Sequence, residues 1–285
     1  MDSNDLIILA GKGQYPRLLA EGARAAGVKR LAVLAIRGQT ERALARSADL
    51  TATFGIGETG KMRDWVLSTG IHQIVMAGQI TPAALFTTRF DSYARSLMKN
   101  IRAKTAHSIY GTVTSVLEGM GLHVLPASTY MDAYLPSPGV LTERAPDERE
   151  RIDIELGHKA AMTIGTVDVG QTVVVKDGMV LAVEAFEGTN AAIRRGGKLG
   201  GKGAVVVKVA RAGHDMRFDI PVIGAQTMRV LRRARVSAVA IQAKRTIFLD
   251  REEVLAEANR HGMSIVALET SLPPAPTRPP ADPAI

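Results

Sequence analysis

The segment HDMRFDIPVIG at residues 214–224 concentrates acidic and basic side chains within a few positions. An extended conformation would place Asp215, Arg217 and Asp219 on one face, because side chains alternate along a strand. Charged groups this close together are costly to bury unless they meet a metal or an anion. The pattern therefore predicts a polar strand that forms one wall of an active site.

A second group of polar residues lies in AVEAFEGTNAAIRR at residues 182–195. Its centre has the residue types of a helix start, Gly188, Thr189 and Asn190. Glu187 precedes this start and Arg194 follows it, and such an arrangement suits Mg²⁺ with phosphate, since Mg²⁺ prefers oxygen ligands. The alternative is a capped helix whose acid complements the helix dipole.

Two glycine-containing loops follow apolar runs that we interpret as the first and fourth strands. In open α/β sheets ligands bind at the carboxyl ends of the strands, so we expect both loops to contact a ligand. Neither loop matches the dinucleotide or P-loop pattern, and each alone is equally typical of an ordinary strand-to-helix turn. The residues concerned are Gly11, Lys12, Gly13, Gln14 and Tyr15 in the first loop, and Gly78, Gln79 and Thr81 in the second.

The elements that position these residues follow an α/β pattern. Short apolar runs alternate with helical patterns up to about residue 125, which predicts a parallel sheet covered by helices. Further on, Asp177-Gly178 between two β-rich runs predicts a hairpin. We therefore expect a Rossmann-like N-terminal domain at 1–130, a linker at 131–150, a C-terminal mixed α/β domain at 151–270 and an extended tail at 271–285.

Composition narrows the classes of function. The 285 residues contain no cysteine, which excludes thiolate catalysis and thiolate metal sites. The net charge of +8, much of it at 194–217 and 228–245, suits phosphorylated or membrane partners. The alternative, which charge alone favours, is a solvated basic surface. Nucleic-acid binding is not expected, because no recognition-helix signature or interleaved aromatics accompany the charge. Without a signal peptide or a long apolar segment, we expect a cytoplasmic protein that contacts membranes peripherally.

The whole set of motifs resembles the LpxI family of UDP-2,3-diacylglucosamine diphosphatases of lipid A biosynthesis. The resemblance covers nearly the whole chain and rests on GKGQYP, VDVGQTVVV, EAFEGTNAAIRR and KVARAGHDMRFDIPVIG. It implies a Rossmann-like domain, a distinct C-terminal domain and a lipid-bearing UDP-sugar held between them. It also implies a divalent metal, usually Mg²⁺, and attack of water on phosphorus to give UMP and 2,3-diacylglucosamine 1-phosphate.

On this hypothesis carboxylates of the second domain hold the metal, with Asp219, Asp215 and Glu187 as the candidate ligands. These three, with Arg217 and position 225, form the candidate catalytic set. Arg217, Arg194 and Lys208 are expected to neutralise charge on phosphate oxygens. Further substrate contacts are expected from Thr105, Asp168, Gln171, Gly188, Thr189 and Asn190. Asp168 and Gln171 have the alternative of simple turn formation.

The chain also departs from the family pattern. Lys104-Thr105-Ala106-His107 stands where a Gly-Asp-Asp-like run is expected, and Asn190 stands in an acidic position. Ala225 follows Gly224 where we expect an acid. The sequence therefore predicts metal-dependent diphosphate hydrolysis, impaired if the acid at 225 is essential. The alternative is a nucleotide-sugar or dinucleotide binding protein that does not hydrolyse its ligand.

Overall fold

The fold is described from a computed structural model, for residues 4–80, 88–99, 106–210 and 215–269. The chain divides into two compact units. The first consists of Met1–Leu135 together with Asp215–Ile220, and the second of Pro136–His214 together with Pro221–Ile285. No helix in the described ranges is long and apolar enough to cross a membrane.

The first unit contains a five-stranded parallel sheet in the order β3-β2-β1-β4-β5. This order confirms the predicted Rossmann-like sheet. Its strands are β1 (Asp5–Ala10), β2 (Arg30–Ile36), β3 (Leu50–Phe54), β4 (Gln73–Ala77) and β5 (His123–Val124). Its described helices are α1 (Tyr15–Ala25), α2 (Arg42–Ser47), α3 (Thr59–Thr69), α4 (Ser92–Lys99) and α5 (Ala106–Gly119), and a short 3-10 helix covers Asp132–Tyr134.

The central strands of this sheet are buried on both faces. Ile7 and Ile74 are fully buried on paired strands, so β1 and β4 are uninterrupted apolar runs rather than alternating ones. Because these strands are apolar, the polar side chains that could contact a ligand lie in the loops at the strand ends. The carboxyl ends of β1 and β4 lie side by side, which places the two glycine loops at the same edge.

The second unit contains a six-stranded mixed sheet in the order β6-β13-β11-β9-β7-β8. The predicted hairpin is confirmed, with Asp177 and Gly178 both at positive φ, 49° and 76°, between β7 and β8. The strands are β6 (Gly139–Val140), β7 (Thr172–Lys176), β8 (Met179–Val183), β9 (Val205–Lys208), β11 (Ala238–Gln242) and β13 (Ser264–Leu268), with a separate parallel pair β10 (Val222–Ile223) and β12 (Ile247–Phe248). The helices are α6 (Glu148–Gly165), α7 (Thr189–Gly200), α8 (Ala225–Arg233) and α9 (Arg251–Arg260).

Glycines allow two helices to approach this sheet closely. A Cβ atom at Gly157 of α6 would lie 2.5 Å from Val207, and one at Gly196 of α7 would lie 2.6 Å from Val174. Both valines are buried and stiff at χ1, so neither can retreat. These contacts fix α7, and therefore Thr189 at its first turn, against the sheet.

Two expectations about chain organisation change in the structure. The interval predicted as a linker, 131–150, contains ordered elements, since β6 pairs with β13 and α6 begins at Glu148. The predicted strand at 215–219 is wrong, because Asp215 accepts hydrogen bonds from the backbone N–H groups of Phe218 and Asp219 and the segment forms a turn. Alternation of side chains therefore does not apply there.

Candidate functional site

The two glycine loops of the first unit are joined through their backbones. Lys12 and Gln79 exchange two backbone hydrogen bonds, of 2.8 and 3.1 Å. A Cβ atom at Gly11 would lie 2.7 Å from the Gln79 carbonyl oxygen, so only glycine permits this approach. The structure therefore brings these two candidate loops together, as predicted. Thr81 lies outside the described residues.

Tyr15, predicted as a ligand contact, instead lies in the core. Its side chain is buried, and its hydroxyl donates a hydrogen bond to the carbonyl oxygen of Ala127. Burial raises the pKa of the phenol far above its ordinary value. The N–H of Ala127 in turn donates to the carbonyl oxygen of Met216, at 2.7 Å. Tyr15 therefore supports the turn at 215–220.

The turn also packs against α5. The ring of Phe218 stacks on Tyr110, with ring centroids 5.7 Å apart and planes 14° from parallel. Burial raises the pKa of Tyr110 to about 12, a backbone hydrogen bond with Ile80 opposes this rise, and the nearby negative charge of Asp219 adds to it. Asp219 is therefore near the Tyr110 side chain, which itself contacts the loop that follows β4.

Arg217 is held by two carboxylates of the same unit. Its Nε and Nη2 atoms donate to Asp215 at 2.6–3.1 Å, and its Nη1 donates to Glu118 of α5. These contacts raise the pKa of the guanidinium further, with the Asp215 hydrogen bonds as the largest cause. The expectation that Asp215 and Asp219 belong to the second domain is wrong, because aromatic stacking and this ion pair attach their segment to the first unit.

In the second unit, three polar side chains meet at one edge of the sheet. Glu184 follows β8, Thr189 begins α7 and Lys208 ends β9. Lys208 Nζ donates to Thr189 Oγ1 at 2.7 Å, and Thr189 Oγ1 donates to Glu184 Oε1 at 2.9 Å. Thr172, which pairs with Lys208 across the sheet, also donates to Thr189 at 3.4 Å. We call Glu184, Thr189 and Lys208 the β9-edge cluster.

Two features distinguish the β9-edge cluster from a surface ion pair. Lys208 is only 8% exposed, although lysine is rarely buried without a compensating partner. Glu184 Oε2 is buried and has no hydrogen-bond partner among the residues that the structure describes. The first N–H groups of α7 also lack acceptors within the helix and carry the positive end of its dipole. The cluster therefore offers a buried cation and helix N–H donors to an anion, beside a carboxylate that accepts a hydrogen bond from Thr189.

Glu187 and Arg194 do not join this cluster. Glu187 is exposed and accepts a hydrogen bond from Arg195 at 2.6 Å, which is the main cause of its lowered pKa. Arg194 lies five residues beyond Thr189, and five residues turn a helix by about 500°, or some 140° net, so it points away from Thr189. It lines a cavity between α7 and α8 instead.

The other predicted contacts of the second unit lie in the turn after α6, beside the end of β9 and in the first turn of α7. Asp168, at φ 56°, lies in the turn after α6, as its turn-forming interpretation predicts. Gln171 accepts a backbone hydrogen bond from Val209, directly after the cluster's lysine. Gly188 is the N-cap of α7, and Asn190 lies half-buried in its first turn. Thr105 lies outside the described residues.

A carboxylate that the sequence analysis missed lies beside Ala225. The Asp250 carboxylate accepts a hydrogen bond from the N–H of Ala225, at 3.1 Å, and so caps α8. Asp250 follows β12, which pairs with β10 directly before this helix. Nothing in the local sequence signals the contact, because 25 residues separate the two positions.

The described carboxylates do not form a ready metal site. Within the described ranges, no group of three His, Cys, Asp or Glu side chains is close enough to hold a metal ion. Of the three predicted ligands, Asp215 is engaged by Arg217 and Glu187 by Arg195. As arranged, two of the three predicted ligands, Asp215 and Glu187, are therefore each committed to an arginine rather than to a divalent cation.

Comparison with known proteins covers both units. A family model described as the LpxI N-terminal domain matches residues 5–134, and one described as the LpxI C-terminal domain matches residues 137–266. A protein from Caulobacter vibrioides named UDP-2,3-diacylglucosamine pyrophosphatase LpxI is 28% identical over 273 residues, which are 92% of this chain and 96% of that protein. Because the two domain models of one family together account for nearly all of the sequence, the chain belongs to the LpxI family.

Proposed function

We propose that this protein hydrolyses the diphosphate of UDP-2,3-diacylglucosamine to UMP and 2,3-diacylglucosamine 1-phosphate, a step of lipid A biosynthesis. The observation that carries the proposal is the match to both LpxI domain models, together with the activity for which the Caulobacter relative is named. A cytoplasmic location is part of the same proposal, and cell fractionation tests it.

The β9-edge cluster supplies the chemistry that such a reaction needs. Attack of water on a diphosphate builds negative charge on phosphate oxygens, and preorganised donors stabilise that charge in the transition state. Lys208 and the first turn of α7 are such donors. Glu184 is placed to accept a proton through Thr189, because the Thr189 hydroxyl already donates to its carboxylate. In this proposal Lys208 binds phosphate and Glu184 receives the proton released by the attacking water.

The first unit contributes binding groups. The joined loops around Lys12 and Gln79 lie at the carboxyl edge of a Rossmann-like sheet, where nucleotides bind in such folds. We propose that these loops contact the UDP part of the substrate. The ion pair between Arg217 and Asp215 then has a supporting role, holding the turn that carries Asp219.

A requirement for Mg²⁺ or another divalent cation is a separate proposal, based on the family resemblance. The proposed roles of Lys208 and Glu184 do not depend on it, and Asp215 and Glu187 are each paired with an arginine. The measurement is the rate of UMP release after treatment with EDTA, followed by addition of Mg²⁺ or Mn²⁺. Loss and recovery of activity would support a metal, whereas full activity in EDTA would remove it from the proposal.

The hydrolytic proposal is tested with purified protein and UDP-2,3-diacylglucosamine in detergent, by following UMP and the sugar 1-phosphate by mass spectrometry. The matched variants are Glu184→Gln, which keeps the shape of the side chain, and Glu155→Gln on α6 as a control. We expect release of UMP that Glu184→Gln reduces and Glu155→Gln does not. No UMP from the unmodified chain, and none from Ala225→Asp, would refute hydrolysis.

A second candidate is a protein that binds the UDP-lipid without hydrolysing it. The absence of a three-carboxylate group among the described residues favours it, as does alanine at position 225. Mass spectrometry of ligand retained by the purified protein separates the two candidates. Intact UDP-lipid that stays bound through prolonged incubation supports binding alone.

A further inference from the structure

The cavity between α7 and α8 collects positive charge from two distant parts of the sequence. Its volume is about 430 Å³. Four of its lining residues are cationic, Arg194 and Lys198 from α7 and Arg233 and Arg235 from the end of α8 and the turn after it. The two basic stretches of the sequence, around 194–217 and 228–245, therefore meet in one concave site.

The walls of the cavity hold no compensating acid. None of its lining residues is acidic, and no described carboxylate lies within ion-pair distance of Arg194, Lys198, Arg233 or Arg235. By contrast, Arg195 and Arg232, on the same two helices, pair with Glu187 and Glu257. All four residues are exposed, so water screens their mutual repulsion, and a phosphate group bound among them would lower it further.

The helix dipoles compensate only part of this positive charge. The cavity lies where α7 and α8 end, and each helix C-terminus carries about half a negative charge. Lys176 already donates to the Gly200 carbonyl oxygen at the end of α7, at 2.7 Å. Four cations against about one negative charge leave a large positive excess.

Small residues at the floor of the cavity leave room for a compact ligand. The two helices touch there, since a Cβ atom at Gly197 would lie 2.6 Å from the Cβ of Ala234. The small residues Gly197 and Ala234 therefore line the cavity together with the four cationic residues. Guanidinium groups bind phosphate oxygens in pairs, which suits this arrangement. No aromatic residue lines the cavity, so stacking of nucleic-acid bases is not provided.

We propose that this cavity, lined by Arg194, Lys198, Arg233 and Arg235, is a second anion site that binds a phosphate group, either of an anionic lipid head group or of a soluble phosphate compound. It is separate from the β9-edge cluster. Lys198 lies in the last turn of α7 and Arg235 in the turn after α8. Arg235 accepts a backbone hydrogen bond from Gly203, shortly before β9 begins, whereas Lys208 of the cluster ends that strand. The proposal does not depend on hydrolysis, so the failure of either leaves the other standing.

The test compares two charge-matched double variants of the full chain. Lys198→Gln/Arg233→Gln removes two cations of the cavity. Arg42→Gln/Arg46→Gln removes two exposed cations of α2, for which the described residues offer no ion-pair partner. Both pairs lower the net charge equally, so a general electrostatic effect would change them alike. Thermal unfolding in chloride first checks that both variants fold.

Two probes distinguish the sources of phosphate. In the first arm, the thermal midpoint is measured in sodium phosphate and in sodium chloride of equal ionic strength, because a bound ligand stabilises the folded state. In the second arm, sedimentation measures binding to vesicles of phosphatidylcholine alone or mixed with phosphatidylglycerol. Each basic residue near an anionic surface raises the affinity about fivefold, so the loss of two should weaken vesicle binding of the cavity variant by about 25-fold.

The site is supported if either effect is lost in the cavity variant and kept in the α2 variant. Lost binding to phosphatidylglycerol vesicles identifies a lipid head group, and lost stabilisation by phosphate identifies a soluble phosphate compound. If both are lost, the phosphate group alone is recognised. Equal behaviour of the two variants in both arms overturns the proposal and leaves a solvated basic surface.

Discussion

Replacement of Lys208 by methionine tests whether the β9-edge cluster is chemical or merely structural. Methionine keeps the length and apolar stem of lysine, so the packing of β9 is preserved while the charge is lost. Because Thr189 Oγ1 bonds both Lys208 Nζ and Glu184 Oε1, the cation and the carboxylate are within about two hydrogen bonds of each other. The variant therefore removes a buried positive charge from beside an acid and from a proposed phosphate site.

The magnitude follows from these distances. A unit charge about 5 Å away contributes about 3 kcal/mol at an effective dielectric constant of about 20. Phosphate oxygens that gain charge in the transition state would lose stabilisation of this order. Since each 1.36 kcal/mol is about tenfold in rate, we expect kcat/KM to fall by about 100-fold. Stability should fall too, because Glu184 loses its neighbouring cation.

Lys176→Met is the matched control. Lys176 lies on β7 at the opposite edge of the same sheet and also makes one hydrogen bond of 2.7 Å, to the Gly200 carbonyl oxygen. We expect it to cost about 1 kcal/mol of stability and to leave kcat/KM nearly unchanged. The assays are UMP release and thermal unfolding of the three proteins. Normal kcat/KM in Lys208→Met, or an equal loss in Lys176→Met, would refute the catalytic assignment.

Three further predictions concern the scaffold. Asp250→Ala should lower the free energy of unfolding by about 1 kcal/mol through loss of the α8 cap, and Asp250→Asn should lower it by less. Denaturant titrations measure both values, and equal losses in the two variants would exclude capping. Tyr110 should resist ionisation until about pH 12, because its folded pKa is raised above the ordinary value of 10.0. The stability that its neutral phenol contributes is complete below pH 10 and is lost as the pH rises through 12. Ultraviolet titration of Tyr110→Phe should lack this late step, and an unchanged titration would contradict the burial. Gly196→Ala should lower the free energy of unfolding by about 1 kcal/mol. Overpacking against Val174 costs about 1–3 kcal/mol, which exceeds the gain of about 1 kcal/mol in helix propensity. A variant that unfolds at a higher temperature would show that the sheet shifts to make room.

The local patterns of the sequence were sufficient to predict the strands and the hairpin, and to predict that the two glycine loops lie together. Apolar runs such as Leu6–Ala10 predicted buried strands, and Asp177-Gly178 predicted the hairpin, because periodicity and turn residues act over a few positions. The placement of Lys12 near Gln79 followed from a general property of parallel sheets, whose carboxyl ends share one edge.

The assembly of the candidate site was decided by tertiary structure. The pattern of DMRFD predicted a strand, but stacking of Phe218 on Tyr110 and the pairing of Arg217 with Glu118 hold the segment as a turn in the first unit. Its alternation is compatible with both conformations, and only distant contacts select one. Asp250 beside Ala225 shows the same limit, since no local pattern joins positions on separate elements.

The sequence by itself therefore determined the two sheets, the helix start at Thr189 and the excess of basic residues, since each depends on neighbours along the chain. Only the tertiary structure decided which charges meet. It joined Lys208 to Glu184 through Thr189, paired Glu187 with Arg195, and left Arg194 in a cavity without an acid. The physical reason is that electrostatic partners are set by distance in space, which the packing of α7 on its sheet fixes and the order of residues does not.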